Sequence, residues 1–263
     1  MTQRERGERF RALHAGEPFV IPNPWDAGSA RALAALGFPA LATTSSGFAF
    51  TLGRADGAVT LDELAGHVLA VCDAVDVPVS VDLENGFGPA PEDAAAAIAR
   101  VAEAGAVGAS IEDWDRDEGS LYGIEEAAAR VAAAVEAARA LPFPFTVTAR
   151  AEGFVRGVPD LDDVIARLRA YEAAGADVLY APRLDRLDQV AAIRAATGRP
   201  LNVLARPQWT VAEAVAAGAQ RVSVGGLLAW VAYDALARAA TRIRDDGDLS
   251  VLRAAPPPES WLA

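Results

Sequence analysis

A (β/α)₈ barrel is the fold this sequence predicts, as a single domain over residues 1–263 with 246–263 as a C-terminal tail. Three observations carry that expectation. The length of 263 residues suits one barrel, which needs about 250. Eight short apolar runs alternate with eight helical patterns, an order that favours a closed parallel sheet over an open one. Several of the runs end in a carboxylate, an arginine or an asparagine, at the strand ends where barrels keep their chemistry.

Taken in order, Arg4 to Ala15 reads as a charged amphipathic helix, with Phe10 and Leu13 apolar and Gly16 to close it, suited to cap the barrel floor. Phe19 to Ile21 begins the first strand and Pro22-Asn23-Pro24 breaks it. Ala27 to Leu36 is helical, with Asp26 at the N-cap position and Gly37 behind. Further strands are expected at Ala40 to Thr44, Pro78 to Asp82, Val107 to Glu112, Phe145 to Arg150, Val178 to Ala181, Pro200 to Leu204 and Arg221 to Val224. The helical patterns are Leu61 to Ala74, Pro91 to Glu103, Ile124 to Arg139, Leu161 to Ala173, Leu187 to Ala196, Val211 to Ala216 and Leu227 to Arg244. Three of them end in Ala-Gly-Ala just before a strand, at Gly105, Gly175 and Gly218. No G-x-G-x-x-G follows the first strand, which argues against a dinucleotide fold. In the tail, Pro256 to Pro258 bar a helix, and Trp261 and Leu262 are expected to dock on a neighbouring subunit. The helix from Leu227 carries Leu228, Trp230, Val231 and Tyr233, more apolar surface than one barrel flank needs, so a homo-oligomer is expected.

Composition excludes several functions. A net charge of 24 − 36 = −12 argues against nucleic acid or an anionic membrane as partner. No apolar run approaches the roughly 18 residues of a span, and the charged start lacks a signal peptide's core, so a cytoplasmic protein is expected. The one cysteine, Cys72, lies in an apolar helical stretch and reads as a packed core thiol. There is no lysine, which rules out Schiff-base aldolase and pyridoxal phosphate chemistry. His14 and His67 sit in helical patterns, read as helix-surface, which argues against a histidine zinc site or a Ser-His-Asp triad.

The chemistry gathers at strand ends. In Val79 to Gly86 the alternation puts Ser80, Asp82 and Glu84 on one face, so two acids point the same way. The strand ending at Glu112 adds a third carboxylate and the strand ending at Arg150 a guanidinium. Asn202 lies in the seventh strand, Asp56 on the loop after Gly53, and Thr43-Thr44-Ser45-Ser46-Gly47 offers hydroxyls and backbone amides. Hard oxygen ligands suit Mg²⁺, with Mn²⁺ as an alternative ion. Such a metal can polarise a 2-oxo or 2-hydroxy acid toward an enolate while Arg150 pairs with an anionic group. The same residues also admit plainer roles: an ion pair for Glu112 and Arg150, solvated or outer positions for Asp56 and Glu84.

The matching pieces resemble the isocitrate lyase and phosphoenolpyruvate mutase superfamily. They are Asn23-Pro24-Trp25-Asp26-Ala27-Gly28-Ser29-Ala30-Arg31, Thr43 to Gly47, Leu52-Gly53-Arg54-Ala55-Asp56, Val81 to Gly86, Ile111-Glu112-Asp113, Thr148-Ala149-Arg150 and Ser223-Val224-Gly225-Gly226, in the family's order. The resemblance implies a Mg²⁺-dependent barrel, usually a homotetramer built as a dimer of dimers, with the eighth helix exchanged between subunits. It implies Asp82 as principal metal ligand, with Asp56, Glu84 and Glu112 holding the metal directly or through water. It puts Trp25, Ser45, Ser46, Gly47, Asn202 and Arg150 on the substrate, and gives Arg150 and Glu112 catalytic work. Where the mutase branch usually has aspartate, this chain has Glu84.

Departures from the family set the subclass. The isocitrate and methylisocitrate lyases carry a Lys-Lys/Arg-Cys-Gly-His loop after the strand-four glutamate, whereas this chain runs from Asp113 to Gly123 with no Cys, Lys or His. The expectation is therefore a C–C lyase using another proton donor, with Ser120, Tyr122 and Tyr180 as candidates. The rivals are C–P chemistry, as in phosphonopyruvate mutases and hydrolases, and a barrel that binds a 2-oxo acid without turnover. Residues 113–123 are expected to form a mobile lid whose Asp113, Asp115, Asp117 and Glu118, against one Arg116, repel a phosphonate.

Overall fold

The computed structural model describes residues 1–253 and 259–261. The elements in chain order are α1 (Gln3–Leu13), β1 (Phe19–Ile21), α2 (Ala27–Ala35), β2 (Leu41–Ala42), α3 (Ser45–Thr51), α4 (Leu61–Ala74), β3 (Val79–Asp82), α5 (Pro91–Glu103) and β4 (Gly108–Glu112). A hairpin, β5 (Trp114–Asp115) and β6 (Ser120–Leu121), precedes α6 (Ile124–Ala140) and β7 (Thr146–Arg150). Then follow α7 (Leu161–Ala173), β8 (Val178–Tyr180), α8 (Leu187–Ala196), β9 (Leu201–Leu204), α9 (Val211–Ala216), β10 (Arg221–Ser223) and α10 (Leu227–Asp246).

The eight barrel strands are parallel, in the order β1-β10-β9-β8-β7-β4-β3-β2. The ring closes where Ala42 N donates to Pro22 O at 3.1 Å. Pro22 and Pro24 have no N–H to extend that ladder, and the Asn23 side chain takes over the pairing. Its Nδ2 donates to Thr43 O at 2.9 Å, and its Oδ1 accepts from Val224 N and Gly225 N at 2.9 and 2.8 Å. One buried amide thus ties β1 to β2 and to the end of β10.

Helix starts follow local chemistry. Capping boxes open α1 (Thr2, Glu5), α2 (Asp26, Ser29), α4 (Thr60, Glu63) and α9 (Thr210, Glu213). Asp26 is therefore the N-cap, its carboxylate turned onto Ser29 N at 2.6 Å. Gly105, Gly175 and Gly218 take φ of 101°, 97° and 116°, the left-handed turn each Ala-Gly-Ala needs to leave a helix for a strand.

Apolar strand faces pack outward against α4, α5, α6 and α7. Phe10 of α1, fully buried, closes the floor with Phe19, Ile21, Ala40 and Val107, a burial that contributes about 1.5–3 kcal/mol. Cys72 is buried, as the core reading expects. The histidines are not surface groups: His67 is buried, stacked on Phe48 at 4.0 Å, and His14 lies half-buried between Phe10 and Phe19. A helical pattern gives the face period, and the polar ring hid that both lie on the inner face.

α10 leaves the barrel. Of its residues Ala229 alone is buried, while Val231 and Leu236 are 64% and 63% exposed. Phe50 of α3 joins Trp230 and Tyr233 there in an edge-to-face cluster. In the tail, Trp261 lies against α2 of its own chain, beside Ala34, Ala35 and Val75. Leu262 lies outside the described residues. No helix among the described residues is long and apolar enough to cross a membrane.

Candidate active site

Strand register assembles the site. Glu112 pairs with Arg150, Arg150 with Tyr180, Tyr180 with Asn202 and Asn202 with Arg221, across five neighbouring strands. Register partners share a face, so these five side chains form one inward band. Because a barrel's register is staggered, the band runs from the last residue of β4 to the first residue of β10. One step along, Asp82, Ser110 and Thr148 are partners in the same way.

A cavity of about 370 Å³ opens on this band at the C-terminal rim. Asp82, Asp56, Ser45, Ser46, Arg150 and Asn202 line it, joined by Tyr180, Arg183, Arg221 and Ser223. A side cavity of about 240 Å³ is lined by Glu84, Glu112, Trp114, Arg116 and Arg156 and shares Ser45, Asp56 and Arg150 with the first. The structure thus brings together Asp56, Asp82, Glu84, Glu112, Arg150, Ser45, Ser46 and Asn202. It leaves Trp25 and Gly47 off the cavity walls, with Gly47 packed beneath Trp25 and Ala229. In the hydroxyl stretch Thr44 caps α3, so Ser45 and Ser46 begin a helix.

Asp82 is held from three sides. Its Oδ2 accepts from Ser45 N at 3.2 Å, and its Oδ1 lies 3.3 Å from Arg150 Nη1 and 3.5 Å from Ser110 Oγ. The Arg150 guanidinium also reaches Glu112 at 3.3 Å and Glu152 at 2.5 Å. Arg156 joins the same two acids, at 3.2 Å from Glu112 and 3.0 Å from Glu152. Burial pushes the Glu112 carboxyl up to about 8; Arg150 opposes this, and Glu152 and Asp82 add to it. Asp56, at the mouth, is raised by lost solvation and then by Asp82. Tyr180, buried under Arg150, is pushed up to about 12 by burial, so it is a phenol at neutral pH. Arg221 donates to Asn202 Oδ1 and Thr148 Oγ1 at 2.8 and 3.0 Å, and burial lowers it to about 10.

The alternation that put Glu84 beside Asp82 stops short, since β3 ends at Asp82 and Glu84 takes φ 53°. Its buried carboxylate pairs with Arg116 of the hairpin. That contact overturns the acidic lid. Asp113 is buried below the hairpin, accepting from Glu152 N at 2.7 Å, Tyr171 Oη at 2.5 Å and Arg167 Nη1 at 3.2 Å. Asp115 caps its own turn through the amides of Asp117 and Glu118, and the latter two are exposed. The hairpin turns a cation inward, because burying Arg116 against Glu84 costs less than burying a further acid there.

The donor set fits a hard divalent cation. Asp56, Asp82, Glu84 and Glu112 offer carboxylate oxygens to the two cavities, and Arg116, Arg150, Arg156, Arg183 and Arg221 stand among them in the same walls. Among the described residues no three His, Cys, Asp or Glu converge closely enough to form a closed metal cage. Mg²⁺ fits that openness, since it keeps several waters and takes one or two carboxylates directly.

Sequence reasoning missed Glu152, Arg156 and Arg221. Glu152 follows Arg150 by two, the strand period, and Arg156 follows Glu152 by four, so both signals were present. Arg221 begins its strand, and reading only the final inward residues passes over it. Of the candidate proton donors, Tyr180 reaches the cavity, Ser120 is exposed and Tyr122 is buried, its hydroxyl accepting from Asn85 Nδ2 at 3.4 Å.

Comparison with known proteins agrees with this fold. An oxaloacetate decarboxylase of Bradyrhizobium sp. (strain BTAi1) is 35% identical over 217 residues, 79% of this chain and 74% of its own. A candidate lyase/mutase of Burkholderia cenocepacia J2315 superposes with a TM-score of 0.94 at 50% identity, covering 99% of this chain and 95% of its own. A phosphonopyruvate hydrolase solved with oxalate and Mg²⁺ gives a TM-score of 0.86 at 25% identity, covering 100% and 94%. Residues 10–244 match the family described as phosphoenolpyruvate phosphomutase, and on that match the chain belongs to this family of lyase and mutase enzymes.

Proposed function

We propose that the chain is a Mg²⁺-dependent enzyme that cleaves or forms a C–C bond beside a 2-oxo or 2-hydroxy carboxylate of the oxaloacetate or substituted malate type. The observation that carries the reading is the inward band, where the carboxylates of Asp82 and Asp56 share one cavity with the phenol of Tyr180 and the exposed guanidinium of Arg183. Bound Mg²⁺ would supply Lewis-acid stabilisation of an enolate, with Asp82 as its principal holder and Asp56, Glu84 and Glu112 around it.

The chain's own groups have distinct tasks. Ser45 N and Arg150 hold Asp82 in place. Arg150 already meets three carboxylates, so a second anionic group of the substrate falls to Arg183 at the mouth. Asn202 and Ser223, hydrogen-bonded to each other at 3.0 Å, offer polar contacts on the wall. Tyr180 replaces the absent lyase cysteine by giving its proton to the departing carbanion. The oxaloacetate decarboxylase relative supports C–C cleavage.

C–P chemistry is the second reading, favoured by the inward Arg116 and Arg156 beside the cavity and by the likeness to the phosphonopyruvate hydrolase. The test incubates the enzyme with Mg²⁺ and oxaloacetate, substituted malates and phosphonopyruvate, and follows pyruvate, glyoxylate and phosphate. Keto acid from a malate-type or oxaloacetate substrate supports C–C chemistry. Phosphate release from phosphonopyruvate alone assigns the enzyme to the second reading.

We propose further that α10 docks on a second copy of the chain, in a homotetramer, because its exposed apolar face finds no cover on its own barrel.

A further inference from the structure

The opposite, N-terminal face of the barrel holds a second cavity, of about 660 Å³. Its apolar wall is the segment Leu141-Pro142-Phe143-Pro144 that leads into β7. Four arginines stand around it: Arg4 and Arg11 from α1, Arg139 from α6 and Arg199 from the turn before β9. Asp177 is the one carboxylate in the lining, and it already pairs with Arg139 at 2.6 Å. Arg4 spends a donor on Pro142 O. The side chains of Arg11 and Arg199 have no hydrogen bond or ion pair among the described residues. His14 lines the cavity as a neutral ring, pushed down to about 3 by burial and by Arg221 behind it. The lining therefore carries an excess of three positive charges, in a chain of net charge −12 that has no lysine.

Three arginines left uncompensated around one concavity, above a wall of prolines and a phenylalanine, match a ligand with several negative charges and a planar apolar body. Guanidiniums bind phosphate oxygens in bidentate fashion, and proline and phenylalanine faces accept a stacked ring. We propose that this cavity binds a small organic polyanion of the nucleoside diphosphate class, apart from the catalytic centre.

The test uses the full chain with Mg²⁺ and saturating oxalate, which occupies the catalytic cavity, and titrates ADP, pyrophosphate and adenosine by calorimetry. ADP should bind more tightly than pyrophosphate, and adenosine most weakly. Arg11→Glu with Arg199→Glu should weaken ADP by at least about tenfold, and Arg11→Ala with Arg199→Ala by less, while oxalate affinity stays at the wild-type value. ADP affinity unchanged in the double variants, or no saturable binding up to about 1 mM, overturns the site. Pyrophosphate binding as well as ADP overturns the assignment of an organic body to the ligand. A titration without oxalate gives the same ADP result if the catalytic reading fails and this one holds.

Discussion

Glu152 turns its carboxylate back onto the guanidinium of Arg150, two residues earlier, and lies 2.5 Å from Nε. Glu152 is fully buried, and Arg156 closes on its other oxygen at 3.0 Å. This acid aims Arg150 at Asp82, and its charge helps keep the Glu112 proton on. Glu152→Gln should cost about 1.5–3 kcal/mol of stability, because the largely buried Arg150 and the exposed Arg156 lose a charged hydrogen-bond partner. It should also depress turnover. Urea unfolding that showed a loss under about 1 kcal/mol would make Glu152 a bystander.

The two histidines make the fold acid-sensitive. Burial pushes His67 down to about 4 and His14 to about 3, so each is neutral in the folded state across the range where the unfolded chain takes up a proton. Their contribution is complete above about pH 6.5 and is lost as pH falls from there toward the folded values, by up to about 1.4 kcal/mol per pH unit for each. Glu112 works the other way, since its raised pKa lets the folded state hold the extra proton below about 8. The histidine share is therefore read from variants: between pH 7 and 5, His67→Phe should lose less stability than wild type. Parallel losses would contradict the assignment.

Much of this was legible in the sequence, and what was not has physical causes. Helices α4, α5, α7, α8 and α9 begin and end at the residues that the helical patterns give. β1 has its expected bounds, six strands are one residue shorter than their apolar runs, and β2 is three residues shorter because Thr44 already caps α3. Asp82, Glu112 and Arg150 were readable since strand alternation places them. Glu84 was not, because alternation lapses once the strand ends and φ turns positive. The hairpin was misread as an acidic lid because counting charges along residues 113–123 does not say which side chains face inward.

The hairpin's polarity gives a further expectation. Asp115→Asn with Asp117→Asn should leave the preference between oxalate and phosphonopyruvate unchanged within about twofold, because both acids face the turn or solvent. Arg116→Ala should weaken the more highly charged phosphonate by about tenfold. Competition binding with the two ligands checks both. A selective gain for the phosphonate in the aspartate variant would restore the repulsive lid.

Assembly is read on α10. Val231 and Leu236 project from a helix that its own barrel does not cover. Wild type should be multimeric by light scattering at micromolar concentration, and Val231→Asp with Leu236→Asp should shift it to a smaller species. A wild-type monomer would leave the exposed face without a partner of its own kind.

The central claim is that Asp82 anchors a divalent cation on which a 2-oxo acid binds. Calorimetric titration of oxalate, which mimics the enolate, tests it most directly in three samples: wild type with Mg²⁺, wild type with chelator, and Asp82→Asn with Mg²⁺. Saturable binding in the first sample and loss of at least about a hundredfold in the other two is the expected result. Equal oxalate affinity in all three would contradict a metal-centred site at Asp82.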